Sequence, residues 1–467
     1  MRALPSSGGG RRTTLALALT CATLLAPRGV RAGSPESVPV SPEAALTAGA
    51  VLASDDVGGG GWYNPASLAA VKRSSVQVGA SAYSESATII HDAATVSLPW
   101  GSQSGDIKSF RYSSVPSVLS YSFKLKDGLG LSVGVWTPYH DYDGGSTTIT
   151  SSGVFASAPT PISGSYSQTY SFSERRDDTW AGAAVGWQAT RRLRIGAMLQ
   201  GDYSSDVYSV DVNASLRTDN PAYGTHLVYS ERGDQGVIGL RTLFGMQLDV
   251  NERLRIAAAA RGPAIRLAAW GPVNKFLSTA AVLPGVATQN QNATQTMPAR
   301  GASAVEPVRL YFGARYADPE RPWTIAVEGD WHPALDGEFG TFKEGWNVRL
   351  GGTWRVSQDL LVGAGIFHDD SSSESSPGRN SLKYSGFSGG VLYRPSAMVK
   401  ALSDGANWDL LACVALRGSY GWGTYRGIAI TQQSGVTTPD AGGIITFPDR
   451  SAEVYEGAIS FFTAIIF

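Results

Sequence analysis

Histidines are the side chains that could most readily give this chain catalytic chemistry. Of the five histidines, only His332 falls on the polar face of an alternating segment, close to Asp330. A hydrolase would also need a serine or cysteine nucleophile within hydrogen-bonding reach of that imidazole. The sequence offers no pattern that places one there. We therefore predict no catalytic residues and no enzymatic activity.

Two acidic motifs resemble metal-binding sequences only weakly. They are Asp141–Gly144, which reads Asp-Tyr-Asp-Gly, and His368–Asp370, which reads His-Asp-Asp. Oxygen-rich clusters of this kind can bind Ca²⁺, but acidic residues in polar loops are more often simply solvated. A glycine-rich loop of the phosphate-binding type is not present in the sequence. We therefore expect no metal ion and no cofactor.

The overall composition favours a β-barrel that faces lipid. The chain has 467 residues, of which only 16% are charged and 10% are aromatic, with 55 Gly, 12 Trp and 19 Tyr. The mean hydropathy of −0.08 is too low for a bundle of membrane helices. Few charges with abundant Gly, Tyr and Trp are typical of outer-membrane barrels. The same numbers disfavour a disordered chain, a coiled coil and a nucleic-acid-binding protein.

Residues 1–32 have the pattern of a secretory signal peptide. Arginines precede a short apolar run over 15–25, and Val30-Arg31-Ala32 places small residues at the cleavage positions. The run is too short to span a bilayer. A twin-arginine signal and a lipoprotein signal at Cys21 are weaker interpretations. Removing this segment leaves 33 basic and 39 acidic residues, a net charge of about −6, and Cys413 as the remaining cysteine, so no internal disulfide can form.

From Ser74 onward, segments of alternating polarity recur along the chain. Trp346, Leu350 and Trp354 share one face of such a segment, and Asn347 and Arg349 share the other. Because successive strand side chains point to opposite faces, each segment has an apolar wall and a polar wall. We predict an all-β fold, namely a transmembrane antiparallel barrel of about fourteen strands. The strands are expected at 74–84, 113–125, 129–137, 177–189, 192–204, 236–250, 253–268, 304–317, 321–332, 345–356, 359–368, 382–394, 407–422 and 453–467.

The connections between these strands alternate between short and long. Short turns are predicted near 126–128, 190–191, 251–252, 318–320 and 357–358. Long polar loops are predicted at 138–165, 204–235, 269–303, 370–381 and 424–451. Outer-membrane barrels have short periplasmic turns and long outside loops. Segment 88–98 is also strand-like, but we assign it to the first outside loop because an additional strand would break the even count.

Two further features favour a membrane barrel over a soluble β-sandwich. Trp and Tyr residues lie near the ends of the apolar faces, as in the aromatic girdles at the bilayer interfaces. The chain also ends in Phe467, which closes the alternating strand 453–467. We interpret Phe467 as the C-terminal signal that the barrel-assembly machinery recognises. The predicted location is therefore the Gram-negative outer membrane, in contact with its lipid and lipopolysaccharide.

A barrel of fourteen strands would leak if its lumen were empty, so a segment of the chain should fill it. The candidate is 33–73, which precedes the first strand and is rich in small residues. The domain organisation would then be a signal peptide at 1–32, a periplasmic plug or hatch at 33–73, and the barrel at 74–467. A loose periplasmic tail is the alternative for 33–73. Charges on the inward faces are expected to form ion pairs between plug and wall.

Four short motifs stand out along the chain: Asn64-Pro65-Ala66 near the end of the predicted plug, Val135–Pro138 in the third strand, and Trp346–Gly352 and Leu361–Phe367 in later strands. Together they resemble the outer-membrane long-chain fatty-acid and hydrophobic-compound transporters, the FadL/TodX-like family. These matches follow one another in order over nearly all of the mature chain. The N-terminal stretch Gly33–Ser37 departs from the family pattern, as does Ser67.

The resemblance implies a fourteen-stranded barrel with an N-terminal hatch. It further implies passive transport of long-chain fatty acids or aromatic hydrocarbons, which leave the lumen sideways beside a kinked third strand. Asn64, Pro65 and Ala66 would form the hatch motif, and Gly130 and Gly134 could permit the kink. A monomer, with a hydrophobic small molecule as its substrate, is also implied.

The substrate-binding residues cannot be carried over, because no motif aligns them. Apolar residues in the predicted outside loops are candidates, namely Phe155, Ile162, Trp270, Phe276 and Leu277. These side chains could equally pack the loops against one another. A different class of function, a structural or adhesive barrel without transport activity, therefore stays open.

Overall fold

The computed structural model describes residues 39–55, 59, 61–156, 161–282, 289–297, 307–337, 340–342, 344–370, 381–395, 408–431 and 445–467. The predicted signal peptide at 1–32 lies outside these residues. One short helix, α1, spans Pro42–Leu46, and a 3₁₀ helix spans Pro65–Ala70. The strands are β1 Ser75–Leu98, β2 Gly101–Lys126, β3 Leu129–Ala156, β4 Ile162–Gln188, β5 Leu193–Thr218, β6 Gly224–Asp249, β7 Leu254–Arg261, β8 Ile265–Trp270, β9 Val273–Val282, β10 Gln289–Met297, β11 Arg309–Ala317, β12 Trp323–His332, β13 Leu335–Gly337, β14 Gly340–Phe342, β15 Gly345–Arg355, β16 Leu360–Asp370, β17 Ser381–Tyr393, β18 Asp409–Arg426, β19 Ile428–Thr431, β20 Ile445–Thr446 and β21 Asp449–Ile466.

The strands form a closed antiparallel barrel whose wall has 14 strands, as predicted. Going round the wall, β1 to β6 are followed by one strand made of β7, β8 and β9, then by β11, β12, β15, β16, β17, β18 and β21. Closure comes from β1 and β21, which pair from Ser75↔Ile466 to Ile90↔Ala452. Because β1 pairs with β21, the first and last strands of the wall do not present a free sheet edge to the bilayer.

The apolar faces of the strands point outward, as the membrane-barrel prediction requires. Trp346, Leu350 and Trp354 are 39%, 44% and 52% exposed, whereas Asn347 and Arg349 of the same strand are buried in the lumen. A soluble sandwich would show the reverse arrangement. In the described part of the chain, no helix has the length and apolarity needed to cross a bilayer.

The strands on one side of the barrel are much longer than a membrane requires. β1 to β6 have 24 to 28 residues, whereas about 9–11 residues are enough to cross a bilayer. Most of the regions 138–165 and 204–235, predicted to be loops, are therefore β-hairpins that project beyond the membrane. The assignment of 88–98 to a loop was wrong, because this segment continues β1 and pairs with the start of β2. The number of wall strands stays even, because this segment extends β1 and does not add a separate strand.

The projecting hairpins enclose an apolar core of their own, which we call the outer core. Its buried residues are Ile90, Ala93, Ala94, Val96, Leu98, Ile107, Ile149, Tyr166, Tyr170, Phe172, Val210, Val212, Ala214, Leu216, Leu227, Tyr229, Leu382, Tyr425, Ile428, Ile430, Ala452 and Val454. Most come from the β1–β2 hairpin and β19 on one side and from β3 to β6 on the other, and Leu382, Tyr425, Ala452 and Val454 come from β17, β18 and β21. The hairpins thus stand as two packed layers, held by burial of apolar surface.

Candidate functional site: the filled lumen and a break in the wall

The described residues of 39–73, namely 39–55, 59 and 61–73, which we call the lumen segment, lie inside the barrel. The Val40 carbonyl accepts a hydrogen bond from the Gln77 side chain of β1, 2.9 Å away. The Ala48 N–H donates to Ser388 Oγ of β17 at 2.8 Å, and the Ser54 carbonyl accepts from Gln247 Nε2 of β6 at 2.7 Å. Since these strands stand on different sides of the wall, a segment that contacts all of them occupies the lumen.

Local sequence accounts for the two helical turns of the lumen segment. Ser41 caps α1, with its Oγ accepting from the Ala44 N–H at 3.2 Å, and Pro42 supplies a fixed φ at the first helical position. Asn64 caps the 3₁₀ helix in the same way, with Oδ1 accepting from the Ala66 N–H at 3.0 Å. Both caps are buried, so the turns need no water to satisfy their first N–H groups.

The motif Asn64-Pro65-Ala66 fastens the lumen segment to the wall. Asn64 Nδ2 donates to the Met246 carbonyl of β6 at 3.1 Å and to the Leu52 carbonyl at 3.0 Å. Opposite the motif, Gly196 of β5 has no side chain, and a Cβ there would come within 2.5 Å of the Ala66 nitrogen. A Cβ on Gly186 of β4 would likewise come within 2.5 Å of the Pro65 carbonyl oxygen, so the motif lies against β4, β5 and β6, close to the short-turn end of the barrel.

A buried ion network joins the lumen segment to the β12–β16 side of the wall. Glu328 Oε2 accepts from the backbone N–H groups of Val51 and Leu52 at 3.0 and 2.9 Å. Arg349 pairs with Glu328, Asp330 and Asp369 at 3.5, 2.9 and 2.8 Å. These carboxylates and the guanidinium are nearly solvent-free, and each charge has a partner of opposite sign.

Asp55 ties the lumen segment to the barrel at the short-turn end. Arg255 Nη1 donates to Asp55 Oδ1 at 2.6 Å, and Arg194 makes a second ion pair with the same oxygen. Partial burial alone raises the pKa of the Asp55 carboxyl, but attraction to Arg255 and Arg194 outweighs it. The pKa of Asp55 therefore lies below its ordinary value of 3.8.

The two glycines predicted to kink the third strand keep its pairing with β4 regular, although β2 has a register shift opposite Gly130, between Lys124 and Lys126. Gly130 and Gly134 are regularly paired with Gly186 and Gly182 of β4. Gly130 instead permits close packing, since a Cβ there would overlap the Leu68 carbonyl oxygen. In the ladder between β3 and β4, the register shifts between Trp136 and Tyr139. Pro138 lies within it, and proline cannot donate a ladder hydrogen bond.

The wall is interrupted beside this register shift. Among the residues that the structure describes, β2 and β3 pair only from Lys126↔Leu129 up to Val118↔Trp136. Above that level β2 stays paired with β1, and β3 stays paired with β4. The two strands therefore separate beyond Trp136. We call the gap between 111–117 of β2 and 137–143 of β3 the wall break.

An aromatic cluster lies on the lumen side of the wall break. The ring of Trp62 in the lumen segment is 5.5 Å from the ring of Trp136 and 4.9 Å from that of Trp180. Trp136 Nε1 donates to the Gly59 carbonyl at 3.2 Å. Gly59 and Trp62 of the lumen segment therefore lie at the lower edge of the break, whereas Asn64-Pro65-Ala66 lies against β4 to β6.

Hydrogen-bond donors surround the aromatic cluster. The guanidinium of Arg241 stacks 4.2 Å above the Trp180 ring, and that of Arg261 lies 5.1 Å from the Trp62 ring. Trp62 Nε1 and the Gln200 side-chain amide are buried and find no partner within the described part of the chain. This region of the lumen combines apolar ring faces with unused polar atoms, which is the composition of a small-molecule site.

The structure does not bring the candidate loop residues together. Trp270 and Phe276 point outward from β8 and β9, and Trp270 stacks on Tyr203 at 6.0 Å. Leu277 points inward and packs against the outer core. Ile162 begins β4 and is partly buried. The side chain of Phe155 lies outside the described residues, and the other four do not form a common site.

The acidic motif His368–Asp370 is not a solvated loop. These residues end β16 inside the barrel, where Asp369 pairs with Arg349 and Asp370 with Lys383 at 3.7 Å. Within the described residues, no group of three or more metal-ligand side chains could hold an ion. The side chains of 139–143 are outside the described set. His332 is buried at the end of β12, and its Nδ1 faces the Pro333 carbonyl at 3.4 Å.

The last residue lies on the lipid-facing surface next to the first strands. The Phe467 N–H donates to the Ser74 carbonyl at 2.8 Å, which completes the seam between the two ends of the wall. The Phe467 ring stacks against Tyr121 of β2 at 6.2 Å. The role of Phe467 as an assembly signal stays a prediction.

Comparison with solved structures identifies the same fold. A FadL homologue from Pseudomonas aeruginosa superposes with a TM-score of 0.55 at 10% identity, over 94% of this chain and 98% of the other. A TodX monoaromatic hydrocarbon channel carrying the deltaS2 mutation gives 0.50 at 10% identity, over 92% and 99%. The toluene transporter TodX of Pseudomonas putida gives 0.48 at 12% identity, over 93% and 99%.

The sequence itself is more distant than the fold. No protein-family model matches it, and no curated protein sequence is detectably similar. At about a tenth of residues identical, the structural likeness establishes the fold. The closed barrel, its apolar outer band and this likeness define an integral outer-membrane β-barrel with the FadL/TodX-type fold.

Proposed function

We propose that this barrel carries hydrophobic small molecules passively across the outer leaflet and releases them sideways through the wall break. The single observation that carries the proposal is the loss of pairing between β2 and β3 above Val118↔Trp136, directly beside a buried aromatic cluster. The solved barrels of this fold include channels described as toluene and monoaromatic hydrocarbon transporters, which supports the same substrate class here.

The wall break suits lateral release because its lower edge, at Trp136, adjoins the lipid-facing band, while 139–143 lie level with Glu174–Asp178 of β4 at the outer border of that band. An apolar molecule that leaves between β2 and β3 at this lower edge passes directly into the bilayer, so it keeps the free energy of about 25 cal/mol per Å² of buried apolar surface. Trp136 at the lower edge offers a ring face on the inner side of the break. Transport then needs no energy source, only affinities that do not trap the substrate along the path.

The lumen segment is proposed to act as the plug that keeps the barrel closed to polar solutes. It is held by the Asn64 amide, by Glu328 and by Asp55 at three separate places on the wall. With the lumen blocked below, the sideways route between β2 and β3 becomes the favoured exit. This arrangement supports transport of apolar molecules without general leakage.

Uptake by proteoliposomes tests the proposal. Vesicles containing the barrel are compared with empty vesicles for accumulation of labelled oleate, labelled toluene and labelled glucose. We expect faster accumulation of at least one hydrophobic compound and no change for glucose. Equal rates with and without the protein for both hydrophobic compounds would refute transport, and rapid glucose uptake would refute the plug.

A structural or adhesive barrel is the second candidate, and one observation favours it. The long β1–β6 hairpins project as a packed two-layered body with its own outer core, more than a simple pore needs. In that case the hairpins would bind a partner at the cell surface. Closing the wall break would then have no effect on uptake. The uptake measurement distinguishes the two candidates.

A further inference from the structure

The outward side of the projecting hairpins is a broad face of small polar side chains. We call it the polar sheet face: even-numbered residues 146–152 of β3, odd-numbered 163–173 of β4 and 209–217 of β5, and even-numbered 226–232 of β6, 274–280 of β9 and 290–296 of β10. Serine, threonine and asparagine make up most of it. Its formal charges are Asp211, Arg217 and Arg232.

The strand register aligns these side chains into rows. Thr148 lies opposite Thr169, and Thr169 lies opposite Asn213. Neighbouring strands are about 4.8 Å apart, and successive outward residues are about 6.6 Å apart along a strand. Thr148 and Thr169 share a hydrogen bond of 3.2 Å between hydroxyls. A hydroxyl has one donor and two acceptor sites, so each row still presents hydrogen-bonding capacity outward.

The polar sheet face begins where the lipid-facing surface ends. On β4 the outward residues change from Ser163–Ser173 to an ion pair between Arg175 and Asp177 at 2.8 Å, and then to the apolar run 181–187. Tyr203 stacks on Trp270 at the same level, as aromatic residues do at a bilayer interface. The face is therefore continuous with the lipid contact and stands in the layer just outside the outer leaflet.

The chemistry of the face fits one kind of partner. Water-exposed surfaces commonly carry about a quarter to a third charged residues, whereas this face carries few. A phosphate-rich partner would need an excess of Arg and Lys, and a protein partner would need an apolar centre. Rows of hydroxyl and amide groups, with Phe276 exposed among them, are complementary to uncharged sugar rings.

We propose that the polar sheet face binds the uncharged sugar chains of the lipopolysaccharide that surrounds the barrel. The contact would use direct hydrogen bonds from the rows and stacking of a sugar ring on Phe276. It would anchor the projecting hairpins in the sugar layer and hold the outer opening of the barrel in a fixed orientation. This inference depends on the position and chemistry of the face and is independent of the transport proposal.

Calorimetry on the full-length barrel in detergent tests the proposal. The probe is lipid-free polysaccharide, released by mild acid from the lipopolysaccharide of the bacterium that makes the protein. The variant Thr148→Ala, Thr169→Ala, Asn213→Ala removes one row of exposed groups without touching the outer core. We expect its affinity to fall about tenfold, equivalent to about 1.4 kcal/mol. The matched control Ser102→Ala, Ser104→Ala changes exposed hydroxyls at the start of β2, off the face, and should bind as the parent does.

Three results would overturn the proposal. The first is equal polysaccharide binding by the triple variant and the parent protein. The second is binding that inorganic phosphate abolishes, since that would point to phosphate recognition. The third is self-association in sedimentation that the triple variant abolishes, which would assign the face to a second copy of the chain. Heat-modifiable migration of the variants in gels verifies that their barrels are folded.

Discussion

Replacement of Glu328 by alanine should release the lumen segment locally while the barrel stays intact. Glu328 Oε2 accepts two buried backbone N–H groups, from Val51 and Leu52, at 3.0 and 2.9 Å. Hydrogen bonds to a charged acceptor contribute about 1.5–3 kcal/mol each. Taking the lower figure for both gives about 3 kcal/mol, which raises the population of locally opened states about 100-fold. Arg349 keeps Asp330 and Asp369 as partners, so the wall itself should tolerate the change.

Hydrogen–deuterium exchange in detergent measures this opening directly. In the Glu328→Ala variant, the peptide covering 47–54 should exchange about 100-fold faster, with little change in peptides from β3 to β6. Glu328→Gln keeps one acceptor oxygen, so its exchange rate over 47–54 should lie between those of the parent protein and Glu328→Ala. Glu344→Ala is the matched control, because Glu344 is exposed and bonds only outward, to Trp331 Nε1 at 2.8 Å. Unchanged exchange at Val51 and Leu52 in Glu328→Ala would show that this carboxylate does not hold the segment.

Three further changes probe the lumen. Gly130→Val should lower the melting temperature and speed hydrogen exchange over 65–70, because the new side chain would overlap the Leu68 carbonyl. Gly457→Ala is the control and should be neutral, because a Cβ there meets nothing within 4 Å. Equal melting temperatures for the two variants would contradict this prediction. Because the pKa of Asp55 is depressed in the fold, its contribution is complete above pH 3.8 and is lost only as the pH falls further; a difference in melting temperature between the parent and Asp55→Asn that has already shrunk at pH 5 would refute this. Trp62→Ala should cost about 3–5 kcal/mol of stability and admit labelled glucose into proteoliposomes, whereas a tight, equally stable variant would exclude a sealing role.

The number of membrane strands and their orientation could be predicted because the lipid and the lumen impose opposite polarity on alternate residues. Trp346 and Leu350 had to face the lipid and Arg349 the lumen. This alternation is visible in a single sequence. The short turns followed from the same periodicity. The even count then fixed both chain ends on one side of the barrel.

The lengths of the projecting strands were missed because their polarity is inverted. In Ser165–Phe172, serine and threonine alternate with Tyr166, Gln168, Tyr170 and Phe172, so the large side chains face inward and the small polar residues face outward. Such a stretch has the composition of a loop. Its period of two was the signal that could have identified it as strand.

The wall break and the contacts of the lumen segment depend on tertiary structure. Pro138 was a local signal for an interrupted ladder, more specific than Gly130 or Gly134, which turned out to give room for packing. Which strand each group of the lumen segment would reach could not be read from one sequence. The partnership of Trp62 with Trp136 and Trp180, for example, joins residues far apart in the chain.

A reversible covalent staple across the wall break tests the central claim most directly. The variant Ser117→Cys with Thr137→Cys places thiols on β2 and β3 just beyond the last pair, Val118↔Trp136. Labelled oleate and toluene uptake is measured in proteoliposomes with the staple oxidised and then reduced, beside the variant carrying Ser117→Cys alone. We predict that oxidation stops uptake of the transported compound and that reduction restores it. Uptake that continues at the full rate through the stapled barrel would contradict lateral release.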